Sequence, residues 1–211
     1  MSTSLRPETA PTGRQLDDQD HHDDESIVRT GAQVAVFAAL IGALAVVPGL
    51  LLFGSSVPVT LQSLGVTLAA LALGPWAGAA AVLAYLALIA IGLPVASGGA
   101  GGLGVLTGPT GGYLVGFIFG AVVIGALGRL ALRRGGKAVT LWLFVAALAG
   151  LPIFYGAGVP WLRFATDMSW GDAWKLGAAI FLPGDVLKAA LGAVVIAAVA
   201  RALPGTLHND R

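Results

Sequence analysis

The sequence has no cysteine, which excludes disulfides, cysteine-ligated zinc and thiol nucleophiles. It also has little charge: charged residues make up 11% of its 211 residues, against about 25% in soluble globular domains. Apolar residues make up 56%. Because such a chain cannot cover its surface with polar side chains, the composition predicts an integral membrane protein.

Two nucleotide-binding signatures are present only in part. Residues 99–104 match the glycine pattern of dinucleotide sites, but that fingerprint needs a preceding strand and a nearby acid, whereas here an apolar helix precedes it. A phosphate-binding loop requires Ser or Thr after its Gly-Lys pair, and Lys137 is followed by Ala138. We therefore expect the glycine run to be non-helical backbone that lines a cavity, and no ATP hydrolysis by that route.

The N-terminal segment holds seven of the eleven acidic residues within its first 28 positions. This composition predicts a disordered cytoplasmic tail over residues 1–28, a membrane domain over 29–203 and a C-terminal tail over 204–211. We expect its histidines to be solvated, so no metal site is predicted. The basic residues form no stripe with aromatic residues, and nucleic-acid binding is not predicted either.

Six apolar runs approach the length of about 20 residues that crosses the hydrocarbon core. They predict an all-α protein with six transmembrane helices. The sixth helix is placed at Pro183 because proline is best tolerated at a first helical position. The runs are 31–53, 60–73, 76–93, 111–128, 138–157 and, after a short interfacial or re-entrant piece at 173–182, 183–201.

The basic residues of the short loops predict the orientation. Arg29, the loop 129–137 and Arg201 fall on one side of this topology, while the loops 54–60 and 94–110 on the other side carry no charge. Because basic loops stay in the cytoplasm, both termini are predicted to be cytoplasmic in a multi-pass plasma-membrane protein.

The third outer loop, 158–175, contains four aromatic residues that have two compatible interpretations. They form an aromatic belt at the water interface, or a lid over a substrate. The four are Trp161, Phe164, Trp170 and Trp174.

Asp185 and Lys188 are the ionisable residues that the topology places within the membrane. Such residues are costly there and are functional-site candidates by default. Three positions apart on one helix, they can pair. Asp185 also suits the positive end of the helix dipole, whereas Lys188 opposes it and needs a partner or a ligand.

Four ordered motifs resemble the BioY family, the biotin-specific components of energy-coupling-factor (ECF) vitamin transporters. The resemblance covers roughly residues 30–200. It implies a six-helix vitamin-capture protein, not an enzyme, that needs no cofactor and works with a membrane coupling protein and two ATP-hydrolysing subunits. The motifs are Val-Pro-Val-Thr-Leu-Gln at 57–62, Gly-Leu-Pro-Val at 92–95, Gly-Pro-Thr-Gly-Gly-Tyr at 108–113 and Leu-Pro-Gly-Asp-Val-Leu-Lys at 182–188.

The resemblance also implies site residues for biotin. Asp185 would accept the ureido N–H groups and Lys188 would donate to the ureido carbonyl. Thr60 and Gln62 would close the site from the outer side. For the carboxylate, the candidates are Tyr113, Thr110 and backbone N–H groups of the glycine run, and Tyr85 is either a pocket wall or plain core.

The first helix carries a small residue at every fourth position. These residues share one face, which lets another helix approach closely. The resemblance assigns this face to docking of the coupling protein, and the alternative is packing against the protein's own helices. The four are Gly31, Ala35, Ala39 and Ala43.

Other functions remain open at this point. The chain could capture another small vitamin, or it could be a membrane subunit without a ligand, in which case Asp185 and Lys188 are a plain salt bridge. A membrane enzyme using Asp185 as acid or base would lack a second titratable group besides Lys188.

Overall fold

The computed structural model describes residues 13–47, 57, 58 and 60–203. All regular structure in these residues is helical. The described residues up to Gln33 form one compact unit, and those from Val34 onward form a second. The helices are α1 (Gly13–Val46), α2 (Gln62–Leu73), α3 (Pro75–Ala90), α4 (Leu103–Thr107), α5 (Gly111–Arg134), α6 (Val139–Leu148), α7 (Leu151–Thr166), α8 (Trp170–Trp174) and α9 (Leu182–Ala202), with a 3₁₀ turn at Ser97–Gly99 and a π-helical turn at Lys175–Ala179.

Four described segments are long and apolar enough to cross a membrane: Ser26–Val46, Gly111–Arg134, Val139–Thr166 and Trp170–Ala202. Helices α2 and α3 are also apolar but shorter. At 1.5 Å per residue they extend about 18 and about 24 Å, less than the roughly 30 Å of hydrocarbon. The chain is therefore an all-helical membrane protein with several spans, two of its apolar helices being too short to cross unaided.

Helix α1 begins earlier than the apolar run that predicted it. Its backbone is helical from Gly13, within the segment for which the sequence predicted disorder up to residue 28. Residues 1–12 lie outside the described residues. Extending an existing helix fixes one residue per hydrogen bond and avoids the cost of a new nucleus, which allows a polar segment to continue an apolar helix.

The fifth predicted span is longer than its apolar run and is broken in the middle. Helices α6 and α7 together reach Thr166, so most of the predicted outer loop 158–175 is helical, and that prediction was wrong. Tyr155, Val159 and Leu162 keep the buried face of α7 continuous past residue 157. The loop before α8 is reduced to 167–169.

The start of α9 agrees with the prediction. Proline occupies its first turn, and the helix begins at Leu182, one residue before Pro183. The predicted short piece at 173–182 contains the end of α8 and the π-helical turn. Helix α5 continues past its predicted end at residue 128 to Arg134, and Gly135 follows it with a φ of 58°. Arg133 and Arg134 lie in its last turn, where cations suit the helix dipole.

Glycines on α5 bring it close to α7. A Cβ atom at Gly112 would lie 2.2 Å from the Cβ of Trp161, and one at Gly120 would lie 2.2 Å from the Phe154 ring. Phe154 also makes an edge-to-face contact with Phe117 of α5, with ring centroids 4.8 Å apart. This tight pair of helices forms one wall of the cavity described next.

Candidate functional site

A cavity of about 270 Å³ lies among α2, α5, α7, α9 and the segment around α4. Its volume is near the lower end of small-molecule sites, which start at about 300 Å³. The walls are largely apolar, with a few polar groups. The apolar side chains include Leu114, Phe117, Phe154 and Phe181, all of them buried.

The polar groups of the cavity centre on Asp185, which is 8% exposed. Its Oδ1 atom accepts hydrogen bonds from Lys188 Nζ at 2.8 Å and from Ser63 Oγ at 2.9 Å. Its Oδ2 atom accepts one from the Tyr155 hydroxyl at 2.5 Å. The predicted pair of Asp185 and Lys188 is thus formed, and three donors satisfy the buried carboxylate.

Ser63 links the two charges. Its Oγ donates to Asp185 and accepts a hydrogen bond from Lys188 Nζ at 3.2 Å. Ser63 and Asp185 lie in the first turns of α2 and α9, and Lys188 lies in the second turn of α9. Asp185 lies in the first turn of α9, where the dipole favours an anion, and that anion in turn compensates Lys188 one turn later.

Gln62 and Tyr85 form a second polar link. Gln62 Nε2 donates to the Tyr85 hydroxyl at 3.0 Å, and this hydroxyl donates to the carbonyl of Val95 at 3.2 Å. Gln62 lines the cavity together with Thr60. Tyr85 is fully buried and is absent from the described lining. It is therefore a core residue, as the second interpretation of the sequence had it, and its hydroxyl holds the Gln62 side chain.

Tyr113 and Thr110 both line the cavity. The Tyr113 hydroxyl donates to the carbonyl of Gly177 at 2.6 Å. Because a phenol has a single O–H donor, that hydrogen is not free for a ligand carboxylate, and Tyr113 contributes its ring instead. Thr110 remains a hydroxyl candidate.

The glycine run borders the same cavity, as predicted, but its backbone is non-helical only at residues 100–102, because Gly99 ends the 3₁₀ turn and Leu103 begins α4. Ala100 and Gly104 are lining residues, and the backbone between them includes Gly102 with a φ of 90°. Trp161 on α7 donates from Nε1 to the carbonyl of Gly108 at 2.9 Å. Trp161 therefore holds the segment before α5 against α7.

Sequence reasoning missed Tyr155 and did not select Ser63 from the polar residues after Pro58. Tyr155 is 30 positions from Asp185 and Ser63 is 122 positions away, so no local pattern joins them. One signal was available for Tyr155: a tyrosine inside an apolar membrane run needs a hydrogen-bond partner for its hydroxyl.

The small residues of α1 are exposed. Ala35, Ala39 and Ala43 lie in the second unit, where Ala38, Ile41 and Ala45 of the same helix are buried. Gly31 lies in the first unit and is also exposed. Within the second unit, packing of Ala35, Ala39 and Ala43 against the protein's own helices, the alternative open from the sequence, is therefore not observed among the described residues.

Comparison with known proteins gives consistent matches. The model of the BioY family matches residues 15–205. A protein of Rhizobium etli named biotin transporter BioY is 44% identical over 78% of this chain and 89% of that protein. One of the same name from Rhodobacter capsulatus is 43% identical over 82% and 94%.

A solved structure is also similar. It is a 2.1 Å crystal structure of the S-component for biotin from an ECF-type ABC transporter. It is 30% identical, covers 91% of this chain and 95% of its own, and superposes with a TM-score of 0.75.

Proposed function

The chain belongs to the BioY family, and from this premise we propose that it is the biotin-binding S component of an ECF-type transporter. It is a multi-pass membrane protein that captures a ligand, not an enzyme. The observation that carries the proposal is the buried Asp185–Lys188 pair, bridged by Ser63, in the wall of an apolar cavity of about 270 Å³.

The polar cluster suits the ureido ring of biotin. An ionised carboxylate has about four acceptor positions, and in the described structure three of those of Asp185 are occupied by hydrogen bonds. One position is left for a ureido N–H. Lys188 Nζ carries three N–H groups, and two of them donate to Ser63 and Asp185. One N–H is left for the ureido carbonyl.

Gln62 is the candidate for the second ureido N–H. Its Nε2 is engaged by Tyr85, so its Oε1 is the group that would accept. Thr60 Oγ1 accepts from the backbone N–H of Gln62 at 3.3 Å and so holds the start of α2. The apolar bicycle and chain of biotin would pack against the aromatic side chains of the cavity.

We also propose that the chain crosses the plasma membrane six times, with both termini in the cytoplasm. The basic loop after α5 supports this orientation, because Arg133, Arg134 and Lys137 lie together there and basic loops remain cytoplasmic. Helices α2 and α3 would be the two short spans, and α2 lines the cavity with Gln62 and Ser63, as an unusually short span at a transport-type site does.

The partners would be an energy-coupling membrane protein and ATP-binding subunits. Helix α1 supports this part of the proposal, since Ala35, Ala39 and Ala43 present small exposed side chains at every fourth position. Such a face allows close helix–helix approach in a membrane. Gly31 extends the spacing in sequence.

Isothermal titration of purified, monodisperse protein with biotin tests the proposal. We expect stoichiometric binding, and we expect Asp185→Asn and Lys188→Ala each to weaken it more than tenfold, since a hydrogen bond to a charged group contributes about 1.5–3 kcal/mol. The matched control is Lys137→Ala, an exposed lysine outside the cavity. Native affinity in both folded site variants would exclude this site.

A further inference from the structure

The charges that line the cavity neutralise each other. Among its described lining residues, the charged ones are Asp185 and Lys188, which pair at 2.8 Å with side chains 10% and 12% exposed. Residues 48–56 and 59, which adjoin lining residues in the sequence and lie outside the described part, are all uncharged. A ligand carboxylate buried here would add a second anion beside Asp185, and burying an uncompensated charge is very unfavourable.

Part of the cavity lining is exposed, and it lies in the segment 94–110 that the sequence predicts to be an outer loop. Ala100 and Gly104 line the cavity and are exposed, and Ser97 beside them is partly exposed. We call these three residues the mouth. A Cβ atom built at Gly104 meets no atom within 4 Å, so open space adjoins it. By contrast, Phe117 and Phe154 at the cavity wall are 7% and 2% exposed.

We propose that biotin binds with its ureido ring at Asp185 and Lys188 and its carboxyl group in water at the mouth, so that carboxyl esters and amides of biotin are also ligands. The proposal rests on the proposed function and extends its substrate class. A carboxylate at the mouth keeps its hydration, and converting it to an ester or amide removes no buried interaction. Tyr113 agrees with this, because its single O–H group donates to the carbonyl of Gly177 and so cannot donate to a carboxylate inside the cavity.

Competition binding on the purified full chain tests the substrate class. Biotin methyl ester and biotinyl-lysine are expected to bind with affinities within about fivefold of that of biotin, because one exposed ion pair changes an affinity by no more than about that factor. Biotin methylated on a ureido nitrogen is expected to bind more than tenfold more weakly, because it loses a hydrogen bond to a buried charged cluster.

A cation placed at the mouth tests the orientation. Gly104→Arg, compared with Gly104→Gln, is expected to raise the preference for biotin over its methyl ester by about two- to fivefold. The gain should disappear in 1 M salt, where the Debye length is about 3 Å. Ala100→Arg, at the other exposed mouth residue, serves as a second variant should the first not fold.

The outcomes separate this inference from the function on which it rests. If biotin itself does not bind, the proposed function fails. If biotin binds and the ester and amide bind more than about 50-fold more weakly, a buried carboxylate site exists and the inference is overturned while the function stands. Equal effects of Gly104→Arg on biotin and ester would overturn the placement of the carboxyl group at the mouth.

Discussion

Removing either partner of the Asp185–Lys188 pair is expected to destabilise the protein unequally, because the remaining partners differ. Without Lys188, the carboxylate keeps donors from Ser63 and Tyr155. Without Asp185, the ammonium keeps one described acceptor, Ser63 Oγ, and the Tyr155 hydroxyl loses its acceptor as well. Asp185→Ala therefore leaves more unsatisfied groups than Lys188→Met does.

The hydrogen bonds set the size of this difference. Breaking a buried ion pair by removing one partner costs about 3–5 kcal/mol, and we assign that range to Asp185→Ala. A hydrogen bond to a charged group contributes about 1.5–3 kcal/mol. In Lys188→Met the Asp185 carboxylate keeps two such bonds, whereas in Asp185→Ala the Lys188 ammonium keeps one. Lys188→Met is therefore expected to cost less by about 1.5–3 kcal/mol, and the double variant less than Asp185→Ala alone.

The measurement is the free energy of unfolding of ligand-free protein in detergent, from denaturant titration. Lys137→Met is the matched control, since its side chain is exposed and surface changes typically stay within about 0.5 kcal/mol. Equal losses for the two single variants, or a larger loss for Lys188→Met, would refute the reasoning from donors and acceptors.

Three further predictions concern packing, docking and topology. Gly112→Ala is expected to destabilise the protein by about 1–3 kcal/mol through overpacking against Trp161, measured as an unfolding free energy beside Gly156→Ala, where a Cβ meets nothing within 4 Å. Ala39→Trp is expected to keep biotin binding and abolish co-purification with coupling subunits, whereas Trp at the exposed Ala126 of α5 should leave both unchanged; loss of biotin binding in Ala39→Trp would make the face internal. Cysteines replacing Ser97 and Ser169 should react with an impermeant thiol reagent in intact cells, and one replacing Lys137 should not; the reverse pattern would invert the topology.

Local rules predicted the parts of the site that depend on one helix. The start of α9 followed from Pro183, and the pairing of Asp185 with Lys188 followed from their spacing of three residues. These features need no knowledge of the tertiary structure, because the helix itself sets the distance. The end of α5 was not predicted in this way: the apolar run placed it at residue 128, six residues before Arg134.

The remaining features depend on contacts between distant helices. Tyr155 was read as part of an apolar run, and its role appears only because its hydroxyl on α7 reaches the Asp185 carboxylate on α9. The length of α7 was underestimated because charged and aromatic residues at its end resemble a loop in composition, whereas Val159 and Leu162 continue its buried face. Tyr85 was ambiguous for the same reason: an aromatic residue in the core and one at a cavity wall have the same sequence pattern.

The cluster around Asp185 also explains how a helix as short as α2 is held in place. At 12 residues α2 is marginal as an isolated helix, but Ser63 in its first turn bonds to Asp185 and Lys188 of α9, and Gln62 bonds to Tyr85 of α3. These bonds join α2 to its neighbours at the cavity wall, so helix assembly and formation of the site depend on the same side chains. A substitution in the cluster therefore acts on stability and on binding together. For this reason the isosteric change Asp185→Asn, measured on folded protein, reports on ligand recognition, whereas Asp185→Ala reports on the assembly of the helices.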